Sequence, residues 1–199
     1  MILWLNGTFG AGKTTVAYEL QRRLENAYVY DPENIGYFLF QNTPSQCHEA
    51  DFQDISLWRE FNARTLKMIA ENYPGVVLVP MTIYKQQYYD EIIGQLTEWG
   101  IPVCHVILHA ERETILKRLK KRSLGHLSKE EFAVRAIEKS LAFYEDREEE
   151  EKIFTDHFTV DQVVEQVASR CGLALRPECR GRMRKMLDRG RVMLEHIRR

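Results

Sequence analysis

The sequence predicts an α/β fold: a five-stranded parallel sheet with helices layered on both of its faces. Three observations predict it. Short apolar runs alternate with longer segments whose apolar residues recur at helical spacing. A glycine-rich turn stands between the first such run and the first such helix. No stretch approaches the roughly 18 consecutive apolar residues that would span a membrane. Strand-helix alternation gives parallel strands joined by right-handed crossovers, with the ligand site at their carboxyl ends. At 199 residues and 44% hydrophobic content, the chain reads as one domain over 1–199 with a sizeable core.

The elements follow in order. Ile2 to Leu5 is a buried strand, and Thr15 to Leu24 is a helix with Val16, Ala17, Leu20 and Leu24 on one side. Ala27 to Tyr30 is the second strand, ending at Asp31-Pro32-Glu33, and Ile35 to Phe40 is a short helix. Residues 41–50, with Asn42, Thr43, Pro44 and Ser45, read as a loop. Asp51 can cap a longer helix carrying Phe52, Ile55, Leu57, Trp58, Phe61, Leu66 and Ile69, which Tyr73-Pro74-Gly75 stops. Val76 to Pro80 is the third strand, Tyr88 to Trp99 a helix closed by Gly100, and Val103 to Leu108 the fourth strand. Glu111 to Arg122 is a charged helix, 123–128 a loop and 129–151 a second charged helix. Ile153 to Thr155 is a short last strand. Thr159 and Gln162 form a capping box for a helix through Val163, Val164 and Val167, which Cys171-Gly172 ends. Arg176-Pro177 leads into a basic C-terminal helix over 178–199. Two insertions begin at the carboxyl edge of the sheet: 31–73, which can form an acceptor region, and 110–150, which can form a lid.

The turn between the first strand and helix carries the sharpest chemistry. Gly7-Thr8-Phe9-Gly10-Ala11-Gly12-Lys13-Thr14 fits G-x-x-x-x-G-K-[ST] at every fixed position, in the strand-turn-helix context the motif requires. Its glycines let backbone N–H groups converge on a phosphate, and the helix N-terminus adds a positive dipole end. Residues 7–14, with Thr15 behind them, therefore read as the ATP-binding loop. Lys13 reaches the β- and γ-phosphates and the Thr14 hydroxyl binds Mg²⁺.

Further site candidates lie along the carboxyl edge. Arg118 and Arg122 stand four apart and share a helix face, an arrangement that resembles the lid of nucleotide-monophosphate-type P-loop kinases. There the first arginine contacts adenine and the second the transferring phosphate; Arg135 and Lys139 are further phosphate candidates. The alternative is a solvated basic face with Lys117, Lys120 and Lys121. Asp31 either orients the acceptor hydroxyl as a base or caps the helix after it. Beside it, Glu33, Arg59, Asn62 and Thr82 are candidate acceptor contacts, and the alternative for Arg59 is an aromatic stripe from which it snorkels. After the third strand, where a metal-supporting acid is expected, stands Pro80-Met81-Thr82, which leaves Mg²⁺ to Thr14, phosphates, water and Asp31. The catalytic set on this reading is Lys13, Asp31 and Arg122.

At these motifs the chain resembles the tunicamycin-resistance ATP-binding proteins. The matching pieces are GTFGAGKT, YVYDPE with Gly36, DFQ followed by LWREFN, VPMTI with EIIG, ILKRLKKR, FTDH, and the basic end RGRMRKML…HIRR. They run the length of the chain. The resemblance implies a P-loop kinase-like three-layer sandwich that confers resistance to tunicamycin, a lipophilic uridine-containing antibiotic. It implies also that VPMT without an acid is a family pattern. It leaves open whether such proteins phosphorylate the drug or sequester it.

Residues 178–199 hold eight Lys/Arg against Glu178, Asp188 and Glu195, a net of +5 in a chain whose formal net charge is −1. A basic tail on an acidic body points to a local role for the tail and not to a nucleic-acid-binding protein. Met183, Met186, Leu187, Gly190, Leu194 and Ile197 share one apolar stripe, which either packs on the body or lies on an anionic membrane. The expectation is a cytoplasmic protein, without a signal peptide, in peripheral contact with the membrane's inner face. Cys47, Cys104, Cys171 and Cys179 lie far apart without a C-x-x-C pair and read as reduced thiols.

Overall fold

Alternate residues of the first strand face opposite ways, and both ways are apolar. That is why it becomes the centre of the sheet. In the computed structural model, which describes residues 1–122 and 137–197 (side chains excepted at 121–122 and 193–197), β1 (Ile2–Gly7) is buried along its whole length. It pairs with β3 (Val76–Pro80) on one side and β4 (Val103–His109) on the other, both parallel. β2 (Ala27–Val29) extends the sheet beyond β3 and β5 (Lys152–Phe154) beyond β4, giving the order β2-β3-β1-β4-β5. This is the predicted α/β sandwich with five parallel strands.

The two layers separate by residue parity. Ile2 and Trp4 pack with Val77 and Val79 against α3 (Ser56–Asn72), and against a helical run made of α4 (Gln86–Tyr89), a π-helical turn (Asp90–Gly94) and α5 (Gln95–Glu98). Leu3 and Leu5 face the other way with Leu78, Val106 and Leu108, against α1 (Lys13–Arg23) and α8 (Val160–Arg170). Fully burying each such aliphatic side chain stabilises by about 1.5–3 kcal/mol before entropy is counted. The capping box forms as the sequence requires: Thr159 Oγ1 accepts from the Gln162 N–H, and the Gln162 side chain accepts from the Thr159 N–H. Gly100 takes φ +75° just after α5, the left-handed C′ position.

Several boundaries differ from expectation. Asp51 caps only a 3₁₀ turn (Phe52–Asp54), and α3 starts at Ser56, because Ile55 is extended. α2 (Glu33–Asn42) is longer than predicted. α6 (Arg112–Arg122) matches the first charged helix. The second charged helix is described as α7 over 137–145; it breaks before the acidic run, where Glu149–Glu151 form a 3₁₀ turn leading into β5. The loop at 123–128, the start of the second helix and Arg135 lie outside the described residues. Cys104 and Cys171 correct the expectation of reduced thiols. They form a disulfide (Cα–Cα 6.1 Å) that ties β4 to the end of α8, while Cys47 and Cys179 are free and exposed. Spacing gave no hint of it, since 67 residues separate the pair. No described helix is long and apolar enough to cross a membrane.

The tail helix α9 (Arg182–Ile197) docks the opposite way round from a packed amphipathic helix. Met183, Met186 and Leu187 are exposed, so in this part the stripe does not pack on the body. Basic residues face inward instead. Arg180 bonds Glu19 of α1, Glu178 and Asp188; Arg189 bonds Glu19 and Asp161; Lys185 bonds Asp161 at 2.8 Å. Glu19, Asp161 and Glu178 lie close enough to hold a metal ion, but these cations already neutralise them.

Candidate active site

The chain leaves β1 and turns through Gly7 to Gly12 into α1. Gly7 (φ +137°) has room for no side chain, because an added Cβ would sit 2.3 Å from the Leu108 carbonyl oxygen. Gly12 caps α1 in the left-handed region (φ 103°) without any side-chain acceptor, and the first turn of α1 holds no acid. Neither a cap nor a first-turn acid among the described residues compensates the positive end of this helix, which is the electrostatic requirement for an anion. Lys13 is almost buried; its Nζ donates to the carbonyls of Gly7 (2.9 Å) and Thr8 (3.0 Å) and lies over the Phe9 ring. Thr8 is buried and its hydroxyl has no hydrogen-bond partner among the described residues. An unsatisfied buried hydroxyl, a curled lysine and an open helix end fit a polyphosphate. Thr14 and Thr15, in the first turn, are half-buried, and Gly10 and Ala11 complete the loop against α6, whose Ile115 and Leu119 abut Gly10.

The structure brings Arg118 onto this loop. Its guanidinium donates to Thr155 Oγ1 and the Thr155 carbonyl, both at 3.0 Å, with the Gly10 and Ala11 carbonyls at 3.4 Å. It thus bridges the phosphate loop and the end of β5, while neighbouring Lys117 and Lys120 are exposed. Arg122 closes the same helix, and its side chain lies outside the described part. Lys139 stands exposed on α7.

Asp31 sits at the carboxyl edge, half-exposed, but β2 is the edge strand and β3 stands between it and β1. Its Oδ1 accepts from the Glu33 N–H at 3.1 Å, so it does organise the start of α2. Glu33 accepts from the Tyr37 hydroxyl at 3.3 Å. Three acceptor candidates are turned inward. Asn62 is fully buried, donating to the Trp58 carbonyl and accepting from the Tyr30 hydroxyl. Arg59 is 5% exposed and bonds Glu91 and the Gln53 carbonyl over the Tyr88 ring. Thr82 is buried with its hydroxyl on the Gly7 carbonyl (2.9 Å), so it serves the phosphate loop.

Other polar groups at this edge escaped sequence reasoning. The Tyr84 hydroxyl donates to Asp51 at 2.6 Å, and burial, reinforced by that carboxylate, pushes its ionisation well above the ordinary range. Lys85 donates to Asp54 (2.6 Å), which Tyr88 also bonds. Burial works to raise the Asp54 carboxyl, but the Lys85 and Tyr88 hydrogen bonds hold it below the usual range. The one available signal was position, since Tyr84-Lys85 follows the third strand just where the chain exits toward the acceptor side. Asn6 was missed too, although a polar residue ending an apolar strand marks a buried network.

The fold and the loop together define a P-loop kinase-like, nucleotide-binding protein. Residues 2–146 match the model of a family described as an AAA domain, and the chain belongs to that family. No curated protein matches the chain. Among solved structures it is similar to the Deinococcus radiodurans tunicamycin resistance protein, at 27% identity over 89% of this chain and 99% of that one, with a TM-score of 0.73. This bears out the resemblance drawn from its motifs. The Mycobacterium tuberculosis APS kinase, solved with AMPPNP and APS, shares the fold at 18% identity over 86% and 96% of the two chains (TM-score 0.64). So does the shikimate kinase of Bacteroides thetaiotaomicron, at 21% identity over 87% and 99% (TM-score 0.54).

Proposed function

We propose that the protein is an ATP-dependent phosphotransferase that modifies tunicamycin or a related nucleoside and so confers resistance to it. The observation that carries the reading is the phosphate loop. It has an open helix end, an orphaned Thr8 hydroxyl and a curled Lys13, with Arg118 resting on its outer turn. Lys13 extends from the Gly7 and Thr8 carbonyls to the β- and γ-phosphates, and Arg122 offsets γ-phosphate charge. Thr14 would hold Mg²⁺, which when bound neutralises developing phosphate charge. Asp31 orients and deprotonates the acceptor hydroxyl, with Glu33 beside it, while Asp54 and Lys85 line the same edge. Positioning and charge neutralisation are most of what phosphoryl transfer requires, so one oriented carboxylate suffices. The outward apolar face of α9, flanked by exposed Arg182 and Arg184, makes reversible contact with an anionic membrane.

A second reading is favoured by one feature: no acid follows β3, and Thr82 in that place is committed to Gly7. On it the protein binds the drug in an ATP-gated pocket without transfer. The proposal is tested by expressing wild type and Lys13→Ala in a tunicamycin-sensitive bacterium, with drug binding titrated in parallel. Growth protection that requires Lys13, with drug binding strengthened by Mg-ATP, supports the function. No protection and no binding would refute both readings.

A further inference from the structure

Beneath the phosphate loop lies a buried polar hub. Asn6 is fully buried, yet its amide is fully used. Its Oδ1 accepts from the N–H groups of Gly7 (2.9 Å) and Ile83 (2.8 Å) and from the Tyr144 hydroxyl (2.7 Å); its Nδ2 lies 3.2 Å from both the Ile83 carbonyl and His105 Nε2. Tyr144, 1% exposed, comes from α7. Its hydroxyl accepts from the Gly7 N–H at 3.2 Å and has the Ile83 carbonyl at 3.0 Å as a second possible target for its single proton. One oxygen thus joins the first peptide of the phosphate loop, the segment leaving β3, and α7.

The rest of α7 is anchored to the same neighbourhood. Glu138 bonds Arg112 of α6 at 2.7 Å, and Ile137 packs with Ile115 of α6 and with Ala110. Just beyond α7, Arg147 bonds Gln86 of α4. Tyr144 is thus a direct hydrogen-bonded link between α7 and the Gly7 N–H.

We propose that Tyr144 is a positioning residue for the nucleotide site: its hydroxyl sets the Gly7 peptide of the phosphate loop and couples it to α7. Nucleotide binding changes which contacts hold Gly7. The Gly7 carbonyl is held by Lys13 and Thr82, and Lys13 is the group that phosphate would draw away. Thr82 on the carbonyl, with Asn6 and Tyr144 on the N–H, then holds the two peptide groups on either side of Gly7, a residue whose φ of +137° is unusual. The hydroxyl is also redundant for folding. Without it the Gly7 N–H keeps Asn6 Oδ1, the Ile83 N–H keeps the same oxygen, and the Ile83 carbonyl keeps Asn6 Nδ2. Removing it orphans no buried donor or acceptor, the condition under which a lost hydrogen bond is cheap. What it removes is the link to α7.

The inference depends on the nucleotide-binding reading, and one experiment separates the two. Mg-AMPPNP is titrated calorimetrically into full-length wild type, Tyr144→Phe and, as control, Tyr30→Phe, which deletes another buried tyrosine hydroxyl, bonded to Asn62. Thermal melts are recorded for all three. The expected result is about tenfold weaker nucleotide binding in Tyr144→Phe, with a midpoint within about 3 °C of wild type, and unchanged nucleotide affinity in Tyr30→Phe. Equal affinity in wild type and Tyr144→Phe would overturn the positioning role while leaving the nucleotide site intact. Weaker binding accompanied by a large fall in midpoint would assign Tyr144 to folding alone and overturn it too. Failure of wild type to bind would refute the nucleotide site and this role together.

Discussion

Arg180→Met isolates the contact that docks the C-terminal segment on α1. Arg180 is 16% exposed in its side chain and contacts three acids: Glu19, itself 1% exposed, Glu178 and Asp188. Its hydrogen bond to Glu178 dominates the shift that lowers that carboxyl to about 2. Methionine keeps most of the aliphatic bulk and removes the charge. Breaking a buried pair by deleting one partner costs about 3–5 kcal/mol, because the other charge stays desolvated. Glu19 retains Arg189 at 3.2 Å and Arg22 at 3.5 Å, which lowers the expectation to about 2–3 kcal/mol. In a domain of this size that is a fall of roughly 4–12 °C in melting midpoint. Calorimetry or far-UV circular dichroism reads it, and trypsin should cleave within 180–199 sooner in the variant. The double variant Glu19→Gln/Arg180→Met should recover part of the loss, since the most deeply buried acid, Glu19, then carries no charge to strand. A midpoint within 1 °C of wild type would refute the account of α9 as ionically held.

Three further outcomes are expected. Asp31→Asn should keep the midpoint, because asparagine can still accept from the Glu33 N–H, while transfer falls about 10²-fold; full activity would leave Asp31 as a cap only. His105 is lowered to about 4 by burial, with Arg147 adding to it, so it stays neutral in the fold and is protonated more readily when unfolded. Its contribution is complete above pH 6.5 and is lost as pH falls toward 4, by up to about 3 kcal/mol. Melts of wild type and His105→Gln across that window should diverge, and parallel curves would contradict it. Deleting residues 178–199 should abolish salt-sensitive binding to anionic vesicles; equal recovery of intact and truncated protein in the vesicle-free fraction would exclude membrane contact by α9.

Legibility in the sequence followed the range of the interactions. β1, the loop through Thr14 and α1 were readable because strand period, glycines and helix spacing are all local, and the Thr159 box was readable for the same reason. Arg118 was found through its spacing to Arg122, yet its partner Thr155 lies 37 residues away and left no pattern. Arg59 and Asn62 looked like site residues because polar groups among aromatics suggest a ligand. Their partners, Glu91 and Tyr30, become neighbours only when α3 packs on the sheet. The tail was only half legible. Its apolar stripe fitted either packing on the body or contact with a membrane, and the acids that turn its basic side inward, Glu19 and Asp161, sit on α1 and α8. Long-range ion pairs outvoted the local pattern there, and the Cys104–Cys171 bridge escaped for the same lack of local signal.

The most direct test of the central claim is whether phosphate is transferred. Wild type and Lys13→Ala are incubated with Mg-ATP labelled at the γ-phosphate and with tunicamycin, and the drug is analysed by mass spectrometry. The account predicts drug heavier by one labelled phosphate with wild type and none with Lys13→Ala. Unmodified drug that nonetheless co-purifies with wild type in an ATP-dependent manner would contradict transfer and leave the sequestering protein in its place.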